Sequence, residues 1–252
     1  MGLKVIKESK VKKEQDIYKH KEFDNADIIL FDTPGMEKSL EFPKNLITKL
    51  PDNINRLNIE SYTTSWGELN IDLGAKYKLN NTLGLIGVNY FNYSNPIDTN
   101  GDGFTDLTLQ HRISIFNKIK TPKNSVAFRY FYEDRWGGEM NWNSDYRGGN
   151  QVYGESIYTS RFEVFGKYDL SENLFLQYSL NNHDQNSVYG TTSYTALQTI
   201  GFVQGVYSKT LKNHSLLLGA TYRYTHYDDN TPATEKKEVT SLPGLFVQDE
   251  WK

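Results

Sequence analysis

From about residue 57 to its end, this chain alternates apolar and polar residues, and that period of two constrains its fold more than any other feature. Val, Ile, Leu, Tyr and Phe fall at every second position over long runs, whereas the spacing of three and four residues that marks a helix is never sustained. Successive side chains of a β-strand point to opposite faces. The pattern therefore predicts an all-β region.

Each predicted strand has one apolar face and one polar or charged face. One strand is predicted at Thr82–Tyr93 and another at residues 107–118. Three further runs carry apolar residues at every second position: Val126, Phe128, Tyr130 and Tyr132; Leu174, Leu176, Tyr178 and Leu180; Leu216, Leu218, Ala220, Tyr222 and Tyr224. His111 interrupts its apolar face, and residues 199–209 show no clean alternation. Strands of roughly 9–11 residues with one continuous apolar face are typical of a transmembrane β-barrel.

The connections between the predicted strands alternate in length. Tight turns are predicted at residues 80–81, 121–124, 171–173 and 212–213, and longer loops at residues 94–106, 137–154, 184–197 and 228–242. Outer-membrane barrels have short turns on one rim and long loops on the other. The sequence therefore predicts an antiparallel, up-and-down, partial transmembrane β-barrel of about nine strands in residues 57–252, preceded by a short irregular segment in residues 1–56.

Three groups of side chains acquire predicted roles from this arrangement. Tyrosines near the long-loop ends suit an aromatic girdle, or ordinary tyrosine use in strands: Tyr90, Tyr93, Tyr130, Tyr132, Tyr222, Tyr224 and Tyr227. Charges on the polar faces are expected to pair with one another and with a plug: Arg112, Arg129, Glu133, Arg161, Glu163, Lys167 and Arg223. Loop residues could contact a ligand or pack within their loops: Trp142, Tyr146, Arg147, Tyr153 and Tyr194.

Composition excludes several classes of function. The net charge of −3 and the lack of a basic, aromatic-interleaved segment argue against nucleic-acid partners. The chain has no cysteine, and its five histidines lack the short spacing of metal ligands. No catalytic motif is present, so the chain is predicted not to be an enzyme. Residues 1–10 do not resemble a signal peptide, and no run approaches the roughly 20 apolar residues of a spanning helix.

A short apolar run ends in Asp32-Thr33-Pro34-Gly35, which looks like the switch segment of a GTPase. A GTPase also needs a glycine-rich phosphate loop ending in Gly-Lys-Ser/Thr, and none is present. A strand-to-turn junction is favoured over a nucleotide-hydrolysing enzyme, which would have to bind nucleotide.

The segment at residues 98–106 has the pattern D-x-N-x-D-G-x-x-D of a calcium loop. The predicted ligands are the side chains of Asp98, Asn100, Asp102 and Asp106 and the main-chain carbonyl of Phe104. Against a metal, Leu109 stands where a bidentate Glu is expected, and tight loops are commonly rich in Asp, Asn and Gly. A calcium site and a metal-free structural loop both remain open, and no other cofactor is indicated.

Several segments resemble TonB-dependent outer-membrane receptors. Residues 45–49, Asn-Leu-Ile-Thr-Lys, are similar to the stretch that closes the plug of these receptors, and residues 61–67 look like their first barrel strand. Residues 92–106, 132–139 and 222–234 resemble segments of such receptors from Bacteroidetes-like bacteria. The resemblance covers about residue 45 to the end.

The resemblance implies a 22-stranded barrel in the lipid of the cell outer membrane, with an N-terminal plug inside it. It also implies uptake of an iron-siderophore, haem, cobalamin or glycan ligand, energised by the TonB complex. A TonB box and most of a plug are not recognisable, and residues 1–44 do not look like a plug, so a receptor fragment is expected. The alternative is a calcium-stabilised, β-rich binding module on the cell surface, which would purify without detergent.

The calcium prediction is tested by calorimetric titration. A calcium site of the extracellular kind is expected to give saturable heat at up to roughly millimolar calcium, because such modules bind the ion weakly. An absence of heat at that concentration would remove the metal and leave a structural loop.

Overall fold

The computed structural model describes residues 57–234 and 237–251. These residues form ten strands: β1 (Leu57–Thr63), β2 (Leu69–Leu79), β3 (Thr82–Tyr93), β4 (Leu109–Lys120), β5 (Asn124–Gly138), β6 (Gly154–Ser171), β7 (Leu174–Tyr189), β8 (Thr192–Leu211), β9 (His214–Asp229) and β10 (Glu238–Trp251). A short 3₁₀ helix lies at Ser144–Tyr146. We find no helix in these ranges with the length and hydropathy needed to cross a bilayer.

The strands pair in chain order in one antiparallel sheet, from β1 to β10. The predicted all-β, antiparallel, up-and-down fold is therefore confirmed, with ten strands rather than about nine. The strand expected at residues 61–67 begins earlier, at Leu57, and ends at Thr63. The region predicted over residues 1–56, with the motifs at residues 32–35 and 45–49, lies outside the described residues.

The register of the sheet separates two faces. Residues directly opposite one another share a face, so Val88, Ile115 and Tyr130 of β3, β4 and β5 lie in one row. We call this the apolar face, and across the strands it carries Leu57, Ile59, Ile71, Leu73, Ile86, Val88, Ile113, Ile115, Phe128, Tyr130, Phe162, Val164, Leu176, Leu180, Val203, Tyr207, Leu218, Tyr222, Leu245 and Val247. The opposite, polar face carries Asp72, Asn89, Arg112, Arg129, Glu133, Arg161, Glu163, Asn181, Gln204 and Arg223.

Burial is concentrated on the polar face. A small cluster of Leu85, Phe116 and Ala127 is buried there with Phe165 packed against it. Further along the same face, Glu133 is only 4% exposed. The apolar face is the exposed one, with Leu245 of β10 87% exposed. An antiparallel sheet in water normally buries its apolar face instead. The observed distribution is typical of a sheet that curls with its polar face inward.

Tyrosines of the apolar face lie near both ends of several strands. Tyr90, Tyr132 and Tyr224 are toward the long-loop end, as predicted, whereas Tyr130 and Tyr222 lie near the middle of β5 and β9. Tyr93 and Tyr227 were wrongly assigned to this set, because the register places both on the polar face. A second row near the short turns was not predicted and comprises Tyr77, Tyr168, Tyr178 and Tyr207.

The four predicted tight turns are confirmed, and each joins an even-numbered strand to the next odd-numbered one. The long connections at residues 94–108 and 139–153 lie where loops were predicted. Because β4 begins at Leu109, the two residues before it belong to the loop and not to the predicted strand at 107–118. The last connection spans residues 230–237, shorter than the predicted 228–242, because strand pairing continues at both ends.

The long loop predicted at residues 184–197 is wrong. Strands β7 and β8 continue through this segment and meet at a two-residue turn, where Gly190 has a φ of +58°. The ladder is hidden in the sequence because both faces here are polar, as at Asp184 and Gln185. Hydrogen bonds of the backbone hold such a ladder without apolar alternation. Residues 199–209, which showed no clean alternation, also lie within β8.

Gly84 provides a test of the packing on the apolar face. A Cβ at this position would overlap the ring of Tyr77, whose hydroxyl pairs with Asn117. We expect Gly84→Ala to lower the free energy of unfolding by about 1–3 kcal/mol through overpacking. Equilibrium denaturation of the full chain measures the effect.

Gly201, on the same face, is the matched control, because a Cβ there would have no atom within 4 Å. Gly201→Ala is expected to leave the denaturation midpoint nearly unchanged. Equal effects of the two substitutions would contradict the packing of Tyr77 over Gly84.

Candidate functional site

The seven charged residues predicted to share one face all lie on the polar face of the sheet. Three consecutive strands, β4, β5 and β6, contribute six of them: Arg112, Arg129, Glu133, Arg161, Glu163 and Lys167. Arg223 of β9 is the seventh. They form two carboxylate-centred groups, one around Glu163 and one around Glu133.

Glu163 binds side chains from both neighbouring strands. The register places it between Arg129 of β5 and Asn181 of β7. Arg129 forms a hydrogen-bonded ion pair with Glu163, and the amide of Asn181 donates to its other oxygen at 2.8 Å. Arg161, two residues away on β6, adds a second guanidinium at 3.3 Å. All three charged side chains are at least 88% buried, so a hydrogen-bonded network compensates their desolvation.

Glu133 is the centre of the second group. It lies directly opposite Arg112 of β4 and accepts a hydrogen bond from the side chain of Gln110. Arg135 approaches its other oxygen at 3.2 Å. Each of the two glutamates therefore meets two arginines, which fixes both carboxylates in place on the face.

The cations of this face also lie over aromatic rings. Arg112 lies 5.1 Å from the ring centre of Phe91, and Arg161 lies 5.6 Å from that of Phe131. Arginine keeps hydrogen-bonding capacity in such a position while its flat surface is desolvated. The polar face is thus an ordered ionic surface whose charged side chains pair with one another.

The predicted calcium loop is closed by its own backbone. The two carboxylate oxygens of Asp98 accept hydrogen bonds from the amides of Gly101 and Gly103, at 2.7 and 2.9 Å. Asn100 and Asp102 likewise accept from amides two residues onward, at 2.9 Å each. These bonds position the side chains along the inside of a tight loop.

Asp106 closes the loop from its far end. One of its oxygens accepts from both the hydroxyl and the amide of Thr99, at 2.6 and 2.8 Å. These two hydrogen bonds favour the ionised form and hold the pKa of Asp106 below its usual value. Within the described ranges, no three side chains of His, Cys, Asp or Glu converge on a metal position. The calcium set that includes Asn100 and the carbonyl of Phe104 stays a prediction.

The two long loops bind each other, which the sequence did not predict. The amide of Thr105 donates to the carbonyl of Gly138 at 2.8 Å, and the amide of Met140 donates to the carbonyl of Gly103 at 2.9 Å. Phe104 and Glu139 form an isolated β-bridge between these bonds. A Cβ on Gly137 would lie 3.1 Å from the hydroxyl of Thr105, so Gly137 is the local signal for this close approach.

Most of the loop residues singled out as possible ligand contacts pack within the protein instead. Arg147 donates to Ser156 and to the side chain of Asn186, the latter at 2.7 Å, and it lies 4.4 Å from the ring centre of Tyr158. The indole of Trp142 covers Gly154, and the hydroxyls of Tyr194 and Tyr227 are 3.1 Å apart. Tyr153 is the exception, because its ring remains 46% exposed.

No family model and no curated protein matches this chain. Among solved structures, the chain is similar to the siderophore receptor PiuA from Acinetobacter baumannii, with a TM-score of 0.44 and 14% sequence identity. The alignment covers 77% of this chain and 37% of the receptor's chain, so this chain spans little more than a third of that structure's length.

We expect Glu163→Gln to destabilise the sheet by roughly 3–5 kcal/mol, because it leaves Arg129 and Arg161 buried side by side without their carboxylate. Equilibrium denaturation measures the loss. Asp169→Asn is the control, since it removes the partner of Lys167 from an ion pair with both side chains at least one-third exposed. The control should cost less than about 1 kcal/mol. Comparable losses from the two variants would show that Glu163 is not a buried ionic centre.

Proposed function

We propose that this chain is part of an outer-membrane receptor or transporter. In this proposal the apolar face contacts lipid acyl chains, the polar face lines the interior, and the long loops contact the ligand outside the cell. The observation that carries the proposal is the exposure of the apolar face across all ten strands. No covalent chemistry is involved.

The size of the exposed apolar surface supports contact with lipid. Monomeric soluble proteins rarely expose contiguous apolar patches larger than a few hundred Å². Here a direct row of Ile59, Leu73, Val88, Ile115 and Tyr130 runs across five strands, and further apolar rows flank it. Exposing this surface to water is unfavourable by roughly 25 cal/mol for each Å². Acyl chains would remove that penalty.

The dimensions of the apolar face also suit a bilayer. In β6 the apolar face also carries Tyr158 toward the long-loop end, ten residues from Tyr168 near the short turn. Ten residues of strand extend about 33 Å, which a tilt of about 40° reduces to roughly 25 Å across the membrane. That height matches the apolar band of outer-membrane barrels, and the tyrosines would lie at the headgroups.

The finer parts of the proposal follow from the resemblance of residues 45–49, 61–67, 92–106, 132–139 and 222–234 to TonB-dependent receptors. The partners would be outer-membrane lipid, the TonB complex and a small ligand such as an iron-siderophore, haem, cobalamin or glycan. The ionic groups around Glu133 and Glu163 would bind a plug. Calcium at Asp98, Asn100, Asp102, Phe104 and Asp106 would stabilise the outer loop.

Site-directed spin labelling tests the lipid contact, and the lack of native cysteines makes single labels unambiguous. Ala220 of β9 faces the apolar side and Thr221 the polar side, and neither is buried. In phosphatidylcholine vesicles, a label at Ala220→Cys is expected to be accessible to oxygen and shielded from a water-soluble nickel complex. A label at Thr221→Cys should be less accessible to oxygen, since it would face away from lipid.

Val203→Cys and Gln204→Cys on β8 repeat the comparison on the next strand. If both members of each pair were equally accessible to the nickel complex, or if the chain stayed soluble without lipid or detergent, the membrane proposal would be wrong. A soluble fold would favour the cell-surface binding module.

A further inference from the structure

Three connections meet at the side chain of Tyr153, at the long-loop end of the sheet. Its ring centre lies 6.3 Å from that of Phe104 in the loop between β3 and β4. A Cβ added at Gly190, in the turn between β7 and β8, would lie 3.0 Å from the ring of Tyr153, so this turn is also next to the ring. Tyr153 itself belongs to the loop between β5 and β6. One ring thus joins three separate connections.

The position of Tyr153 is fixed by hydrogen bonds from several directions. Its amide donates to the carboxylate of Glu139 at 2.8 Å, and its carbonyl accepts from the amide of Glu139 at 2.9 Å. Its hydroxyl donates to Glu155 at 2.7 Å, and this bond together with the charge of Glu155 raises the pKa of Tyr153. Phe104 is held in turn by its β-bridge to Glu139 and by its amide bond to Asp102.

The two residues are nevertheless exposed, Phe104 by 43% and Tyr153 by 46%. Exposed aromatic rings that are already immobilised lose little conformational entropy when a partner stacks on them. By contrast, Trp142 in the same loop is packed over the backbone of Gly154. Phe104 and Tyr153 therefore form an aromatic surface that is already held in position. Packing within the loops covers Trp142 but leaves these two residues exposed.

The groups around this pair are acidic or neutral. The loop of residues 94–108 carries Asp98, Asp102 and Asp106 and no Lys or Arg. Glu139 and Glu155 flank Tyr153. Arg147, the one basic residue of the loop at 139–153, is turned away to Ser156 and Asn186. These acidic surroundings repel anions, while the carboxylates accept hydrogen bonds from hydroxyl groups.

We propose that Phe104 forms a stacking platform for one ring of a neutral oligosaccharide, with the ring of Tyr153, tilted by 54°, against the edge of the sugar. Hydroxyl groups of the sugar would donate to Asp102, Glu139 or Glu155. The apolar C–H face of a sugar ring matches an aromatic surface, and its rim of hydroxyls matches the carboxylates. This inference rests on the proposed function and selects among its ligand classes: a neutral sugar is favoured over an anionic iron complex.

Saturation-transfer NMR on the full chain in detergent micelles tests this assignment. The probes are cellotriose, maltotriose, mannotriose, xylotriose and chitotriose (the trimer of N-acetylglucosamine), with trigalacturonic acid as the anionic comparison. At least one neutral trisaccharide is expected to receive saturation and the anionic one none. Phe104→Ala should weaken the binding roughly three- to tenfold, the contribution expected from one aromatic stack.

Two variants serve as controls. Trp66→Ala removes an aromatic ring that is 45% exposed at the same end of the sheet but lies in a different connection, so binding should be unchanged. Tyr153→Phe keeps the ring and loses only the hydroxyl bond to Glu155, so it should retain most of the binding.

Failure of all five neutral sugars to bind, or equal binding by the wild type and Phe104→Ala, would overturn the platform. Preferential binding of trigalacturonic acid would overturn it as well. None of these results bears on the spin-label accessibilities, so the ligand class and the membrane receptor can fail separately.

Discussion

The antiparallel ladder is the constraint on which the rest of this structure depends. Once β1 to β10 pair in register, every side chain is committed to one of two faces, and opposed residues are brought together in rows. The apolar rows and the ionic groups follow from the same register: Arg129 meets Glu163, and Tyr130 beside it meets Phe162 on the opposite face. A slip of the pairing by one residue would move the ionic side chains of a strand to the apolar face and its apolar side chains to the polar face. The same register therefore determines both the burial of the ionic groups and the exposure of the apolar rows.

The two faces have different energetic roles. On the polar face, ion pairs and amide hydrogen bonds compensate the burial of charge around Glu133 and Glu163. On the apolar face the side-chain hydrogen bonds are scattered, as between Asn117 and Tyr77 and between Asn182 and Thr199. Stability inside the sheet therefore comes from the ladder and the polar face. The contribution of the apolar face to stability depends mainly on the solvent or lipid that surrounds it.

The predictable parts of the fold are those in which one signal dominates. The strands β3, β5 and β9 follow from their alternation, and the tight turns follow from short polar segments such as Asn80-Asn81. The far half of the β7–β8 hairpin was missed because side chains there are polar on both faces, as at Asn186. Tyr93 and Tyr227 were misplaced because aromatic character alone does not reveal a face.

The sequence predicted which residues belong to the site better than it predicted which of them are in contact. Alternation placed Arg112, Arg129 and Glu163 on one face, but only the register shows which of them meet. The loop at residues 98–106 was recognised by its spacing, whereas its attachment to residues 138–140 depends on backbone bonds between segments far apart in the chain. The junction at Tyr153 has no local signal, because its three parts come from three connections.

The polar half of the β7–β8 hairpin has a consequence for how this protein can change over evolution. Residues 182–189 and 192–199 form a ladder roughly 25 Å long at this end of the hairpin, and it is held by backbone bonds that do not depend on side-chain identity. Substitutions at its exposed positions, such as Thr192 and Ser193, can alter the outer surface next to Gly190. The buried Ser187 and Val188, and His183 opposite Arg161, do not have this freedom. The hairpin thus separates the residues free to diversify from those that the register keeps fixed.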